Sequence, residues 1–357
     1  MGFTSKIRSF LSSLPVAKKI ELIYTPSVVV LAIFVFSIVI SDITQISKAK
    51  TIKSNIELVL MLDAVAHNHA VERGLTAGFL GSKGAKGKDK LSAQREKADK
   101  TSSTLRDYLN AGNSTYSDAI HEQLESLETQ LKTVPKLRQQ VNVLDPTATP
   151  FSIYSNINKT ALDTISSLSQ EIASPSINAE LTKLNAILWL KERAGQERGA
   201  LNGVFARQSF NVNNAAAVNL YYEDQKSKLD AIKRNMNAQE YTLFSENLND
   251  QNAKTVKEYR EAFFTAVGKS ENTVTADNQE WFKAATGRIK NIKGAAVSVA
   301  ESIKSTANSL VASAWLSLAA TLFITTVGGM FLFWFSKLIT LQLTGDIRGI
   351  TNILGKV

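Results

Sequence analysis

The chain has 357 residues, 44% hydrophobic and 20% charged, with 41 Lys+Arg against 32 Asp+Glu. That is room for about two ordinary domains with ample apolar material for a core. Its 18 Gly and six Pro exclude collagenous or low-complexity disorder, and the absence of Cys excludes disulfides, thiolate metal sites and thiol catalysis.

In chain order, the first predicted element is a membrane span at residues 22–41. No charge occurs from Leu22 to Ser41, and Val28 to Ile40 is nearly all apolar, enough for the roughly 20 helical residues a hydrocarbon core needs. The run is longer than a typical signal-peptide core and no small-x-small cleavage site precedes Asp42, so it reads as an anchor. Lys6, Arg8, Lys18 and Lys19 precede it, which assigns residues 1–21 to the cytoplasm by the positive-inside rule.

Residues 43–310 then lie outside, carrying 34 basic and 29 acidic residues. Strand-like alternation is missing, and apolar residues recur every three or four positions, as in Leu58, Leu62, Val65 and His69, or Leu124, Leu127, Leu131 and Val134. Breakers fall at Gly81–Gly87, Ala111-Gly112-Asn113-Ser114, Asp145–Pro150, Ser174-Pro175-Ser176, Asn211–Asn214, Met236-Asn237-Ala238 and Gly268–Asp277. The expected helices run over about 20–81, 88–110, 115–143, 151–173, 177–209, 215–236, 238–267 and 277–340. The fold class is therefore all-α, one or two up-down four-helix bundles between two membrane helices.

The second span is 314–336, centred on the apolar stretch Ala314 to Phe335. Lys337, Arg348 and Lys356 follow it and return the chain to the cytoplasm. Residues 337–357 read as the start of a further amphipathic helix, with Ile347, Ile350 and Leu354 at helical spacing. A receptor whose output module lies beyond residue 357 or on another chain would look like this.

An internal near-repeat stands out. Glu72-Arg73-Gly74-Leu75-Thr76-Ala77-Gly78 matches Glu197-Arg198-Gly199-Ala200-Leu201-Asn202-Gly203 at four positions. Mid-helix Gly costs about 0.5–1 kcal/mol relative to Ala, so its repetition asks for a reason. Ala70, Gly74 and Gly78, and likewise Gly195, Gly199 and Gly203, fall at i, i+4 and i+8, predicting side-chain-poor ridges where two helix backbones cross closely. Arg73 and Arg198 then flank one small gap. Convergent guanidinium groups repel unless an anion lies between them, and their planar donors match a flat oxyanion such as nitrate, nitrite, bicarbonate or a carboxylate. The competing reading is a structural network pairing Arg73 with Glu197 and Arg198 with Glu72. Thr76, Gln196 and Asn202 are possible secondary donors.

At these residues the sequence resembles the nitrate- and nitrite-sensing (NIT) domain family of bacterial receptors, through His67-Asn68-His69-Ala70-Val71-Glu72-Arg73-Gly74, Leu190 to Leu201, and Glu280-Trp281-Phe282-Lys283-Ala284-Ala285-Thr286. The first motif departs from the family pattern, with Val71 where Gln is common; Gln196 keeps it in the second. The resemblance implies two four-helix bundles, a nitrate or nitrite ligand held by Arg73 and Arg198, and a receptor that dimerises. Leu341 to Ile347 looks like the opening of a HAMP linker, as in methyl-accepting chemotaxis proteins and membrane histidine kinases.

Other chemistry is sparse. His67 and His69 point about 200° apart on a helix and cannot share a metal; His121 stands alone. Lys191, Arg193 and Arg207 near the second motif are read as solvated or field-tuning charges. No nucleophile elbow, Walker loop or metal triad occurs, and no basic and aromatic interleaving indicates nucleic acid, so neither an enzyme nor a nucleic-acid binder is expected, and no cofactor. The expected protein is a two-pass receptor of the bacterial inner membrane with a periplasmic sensor. The alternatives are an adhesion or interaction ectodomain and a sensor of small organic carboxylates.

Overall fold

The computed structural model describes residues 3–112, 116–172, 174–269 and 271–354. Among the expected turn and flank residues, Asn113, Ser114, Ser270 and Lys356 lie outside these. Ten helices occur among the described residues, with no strand beyond an isolated bridge between Ser209 and Thr273. They are α1 (Phe3–Ser13), α2 (Val16–Gly81), α3 (Lys88–Asn110), α4 (Asp118–Asn142), α5 (Pro150–Glu171), α6 (Pro175–Arg207), α7 (Val212–Asn235), α8 (Ala238–Asn247), α9 (Gln251–Gly268) and α10 (Asn278–Leu354).

The count departs from eight for local reasons. Pro15 and its unfavoured predecessor Leu14 separate α1 from α2. The helix expected over 238–267 breaks at Leu248-Asn249-Asp250, because the Asp250 side chain caps α9 by accepting from Ala253 N at 2.9 Å. Asn211 and Asn237, read as turn residues, are the N-caps of α7 and α8, each in a reciprocal capping box. The last helix continues through Gly345 and Gly349 to Leu354 rather than ending near residue 340.

The chain divides into two compact units, residues 51–308 and the combination of 1–50 with 309–357. In the larger unit, α3, α4 and α5 pack with the C-terminal part of α2. The predicted stripes form its core: Leu58, Leu62, Val65 and His69 on α2 and Leu124, Leu127, Leu131 and Val134 on α4 are all buried. A second bundle joins α6, α7, α9 and the N-terminal part of α10 around Leu201, Val204, Phe205, Val218, Val256, Phe263 and Trp281. Fully burying each such side chain is worth about 1.5–3 kcal/mol. Helix α6 serves both bundles and is buried on several faces, which is why its sequence shows no single apolar stripe.

In the smaller unit, α2 and α10 expose most of the large apolar residues of the predicted spans, Val28 to Phe36 and Phe331 to Phe335 among them. Both helices are long and apolar enough to cross a membrane, and they flank the helical domain in sequence. Asp42 is 5% exposed and accepts from Ser317 Oγ at 3.0 Å and Thr321 Oγ1 at 2.9 Å. The two hydroxyls, one turn apart, satisfy a carboxylate set against the apolar part of the facing helix.

Candidate functional site

The two Glu-Arg-Gly elements fall on α2 and α6, and each glutamate turns into its own bundle. Glu72 is fully buried and takes Arg138 of α4 side-on, Nε to Oε1 at 2.7 Å and Nη2 to Oε2 at 2.9 Å, with the Tyr154 hydroxyl also donating at 2.7 Å. Glu197 takes Arg260 of α9 in the same geometry, both contacts at 2.6 Å, with Gln225 Nε2 donating at 2.8 Å. The pairing of Arg73 with Glu197 and Arg198 with Glu72 does not occur. Each carboxylate had a closer planar partner on a helix of its own bundle, and bidentate pairing favours that partner.

The arginines turn the other way and are held by matching devices. Arg73 lies over Phe151, 5.2 Å from the ring centroid, and donates to Ser155 Oγ at 2.7 Å. Arg198 lies over Phe282 at 4.7 Å and donates to Thr286 Oγ1 at 3.0 Å. In each case one helix supplies an aromatic ring and, one turn later, a hydroxyl. The near-repeat in the sequence is thus the visible edge of a structural duplication that includes Arg138 with Arg260, Phe151 with Phe282, and Ser155 with Thr286.

The duplication does not extend to the acid facing these arginines. Arg73 is neutralised by Glu192, with contacts of 2.5 and 3.3 Å, and Asn158 Nδ2 donates to the same carboxylate at 2.9 Å. Glu192 stands five residues before Glu197; the residue five before Glu72 is His67. Arg198 therefore has no carboxylate within ion-pair distance among the described residues, and its Nε is buried without a hydrogen-bond partner. Burial first, and the neighbouring Arg73 charge second, push Arg198 down to about 10. It remains a cation at neutral pH, and two guanidinium groups share one acid.

Arg198 borders a cavity of about 360 Å³ whose small-residue wall is Ala66, Ala70, Gly74 and Gly195. The remaining lining includes Val71, Leu162, Leu188, Phe282 and Ile289, and the cations Lys191, Lys290 and Lys293, against Glu192 as the one acid among the described lining residues. This corrects the expected close backbone crossing at Gly74, Gly78, Gly195, Gly199 and Gly203. No backbone of another helix comes within 4 Å of where a Cβ would sit at any of them. Such a Cβ at Gly74 would stand 2.7 Å from Arg198 Nη2, and at Gly195 it would stand 3.1 Å from Arg73 Nη2. Each of these two glycines clears space for the guanidinium of the opposite helix. Gly199 faces the Phe151 ring at 3.0 Å, Gly203 faces Arg207 on its own helix at 3.3 Å, and Gly78 faces open space.

The secondary candidates do not line the cavity. Thr76 is fully buried with an unpartnered hydroxyl, Gln196 Oε1 accepts from Arg193 at 2.8 Å, and Asn202 is half-buried. Sequence reasoning left Glu192, Phe282 and Thr286 without roles and weighed Lys191 and His67 as bystanders. Their signal was spacing: Lys191 lies two helical turns before Arg198, and His67 two turns before Gly74.

The family model described as nitrate and nitrite sensing matches residues 64–304 of this chain. No curated protein matches it. A solved structure, that of the NasR transcription antiterminator, is similar with a TM-score of 0.65 at 19% identity over 83% of each chain, a likeness of fold. With two thirds of its length matched, and with both Glu-Arg-Gly elements and the cavity inside that match, the chain belongs to the nitrate- and nitrite-sensing family.

Proposed function

We propose that this chain is the sensory and membrane-spanning part of a receptor that binds nitrate or nitrite beside Arg198 and Arg73, outside the inner membrane. The observation that carries this reading is the uncompensated Arg198, with its Nε orphaned at the wall of a cavity. One acid between two guanidinium groups leaves a site one negative charge short, which a planar monoanion supplies. The Phe282 ring beneath Arg198 fixes the plane of its guanidinium, so the unpartnered Nε–H is already oriented for a flat guest.

Binding would relieve the repulsion between Arg73 and Arg198 and draw α2 and α6 toward a new relative position. Helices α2 and α10 carry both site residues and span residues. A displacement of a few tenths of an ångström at the site can thus pass along a helix by sliding or rotation. The ligand can bias that equilibrium only by its affinity difference between the two states, typically about 1–3 kcal/mol. On this reading the tail after residue 337 opens a HAMP-type linker to a cytoplasmic signalling module of the chemotaxis or kinase kind, and the receptor works as a dimer.

The test is isothermal titration of the detergent-solubilised full chain with nitrate, nitrite, acetate and lactate, in wild type and Arg198→Ala. Heat with nitrate or nitrite, lost in Arg198→Ala, supports the reading; no heat with either, or undiminished binding in the variant, overturns it. The apolar walls at Leu162, Leu188 and Ile289 favour one other ligand class, small organic carboxylates. Acetate or lactate outcompeting nitrate would select it.

A further inference from the structure

The cavity is far larger than one small oxyanion requires. At about 30 Å³ per water it has the volume of roughly a dozen waters, while a nitrate ion has four heavy atoms. Arg198, Lys191 and Lys293 also fall in two tiers, with Lys290 between them on α10. Arg198, Thr286 and Gly74 mark the first. Seven residues along each of the same three helices stand Lys191 on α6, Lys293 on α10 and His67 on α2, all lining the same cavity. Seven residues are close to two whole turns, so each second-tier residue shares the face of its first-tier counterpart, roughly 10 Å further along.

The second tier is built for an anion in the same sense as the first. Lys293 Nζ lies 2.8 Å from His67 Nε2, and no carboxylate is within ion-pair distance of Lys293 among the described residues. Lys191 is paired with Asp63 at 2.8 Å, and the adjacent Glu192 is engaged by Arg73, so both of these acids are already taken. We propose that His67, Lys191 and Lys293 form a second oxyanion subsite of this cavity, which takes a small planar anion independently of Arg198. The proposal rests on the reading that the cavity admits such anions.

A consequence separates it from mere electrostatic background. His67 is held neutral, pushed down to about 4 by burial and by Lys191 and Lys293, against the opposing Asp63 on its own helix. Lys293 is itself pushed down by burial and by Lys191 and Lys97. An anion seated between these groups offsets the two lysines and favours the imidazolium, so occupancy of the second subsite raises the titration midpoint of His67. An anion beside Arg198 alone, two turns away, moves it much less.

The experiment uses the full chain in detergent with nitrate as the probe. Equilibrium dialysis at saturating nitrate gives the number of ions per chain in wild type, Lys293→Met, Arg198→Ala and the double variant. NMR of the His67 Cε1–H resonance follows its titration with and without nitrate. Expected are two ions in wild type, one in each single variant and none in the double variant, with nitrate raising the His67 midpoint by about one pH unit in wild type and Arg198→Ala. One ion in wild type that survives Lys293→Met, with a nitrate-insensitive His67, overturns the subsite and leaves the arginine reading standing. One ion that survives Arg198→Ala but not Lys293→Met keeps the subsite and overturns the arginine reading. No bound ion in wild type overturns both. Removing an ammonium that pairs with no carboxylate among the described residues, while keeping an unbranched chain, should not unfold the protein, and a retained thermal transition checks that.

Discussion

The glycines of the two Glu-Arg-Gly elements offer a test that distinguishes clearance for a guanidinium from tight packing of helices. Gly74→Ala adds a methyl 2.7 Å from Arg198 Nη2, where ordinary contact begins near 3.4 Å. The guanidinium must retreat by roughly 0.7 Å, since a single overlapping atom pair of this kind is relieved more cheaply by a flexible tip than by backbone. That retreat stretches the 3.0 Å bond to Thr286 and shifts the cation over Phe282. A charged hydrogen bond is worth about 1.5–3 kcal/mol, only part of which is lost, and Ala returns about 0.5–1 kcal/mol of helix propensity. Stability should therefore change by no more than about 1 kcal/mol, while nitrate affinity falls about tenfold, equivalent to about 1.4 kcal/mol. Gly78→Ala meets nothing within 4 Å, so it should stabilise by about 0.5–1 kcal/mol and leave affinity unchanged. Chemical denaturation and nitrate titration of the two variants in detergent read both quantities. Destabilisation of Gly78→Ala by several kcal/mol would restore the packed-ridge explanation, and full nitrate affinity in Gly74→Ala would refute the placement of Arg198 as the ligand-binding group.

Glu192→Gln removes the acid that pairs with Arg73 and offsets Arg198 through space; it should destabilise the unliganded protein by about 3–5 kcal/mol, and nitrate should raise its thermal midpoint more than that of wild type. Arg260→Leu and Arg138→Leu each remove the bidentate partner of a buried glutamate, but Glu72 keeps Arg95 at 3.5 Å and the Tyr154 hydroxyl, and Glu197 keeps the Gln225 hydrogen bond and the charge of the buried Arg288. Denaturant unfolding should therefore show losses of similar size for the two variants, each short of the roughly 3–5 kcal/mol of a wholly unpaired buried charge. The folded chain holds His67 at about 4 against an ordinary 6.5, so the unfolded chain takes up the proton first as the pH falls. The stability from keeping this ring neutral is complete above pH 6.5 and is lost between pH 6.5 and 4, at up to about 1.4 kcal/mol per pH unit. His67→Gln should flatten that slope in pH-dependent melting, while His69, which burial also lowers, goes on contributing in the same direction.

The apolar periodicity made the helices and their buried faces legible, because Leu58, Leu62 and Val65 are dictated by one physical effect acting on one helix. The charge-free runs marked α2 and α10 as the membrane-crossing candidates for the same reason. The break before α9 was hidden because Asn249-Asp250 sits within a continuous apolar rhythm, and only the cap at Ala253 reveals it. The arginine pair could be read from the repeat, but its pairing could not. Whether Arg73 meets Glu197 or Glu192 depends on the axial register of α2 against α6, which spacing within one helix does not contain. The same register decides that the glycines face guanidinium groups rather than backbone.

The orphaned Arg198 Nε–H can be observed directly. In a 15N-resolved spectrum of the full chain in detergent, its resonance is identified as the one lost in Arg198→Lys. Titration with nitrate should shift it downfield and slow its exchange with water, saturating with the binding isotherm, while chloride at equal ionic strength leaves it in place. A resonance that stays unmoved and fast-exchanging at saturating nitrate would contradict the assignment of this guanidinium as the seat of the ligand.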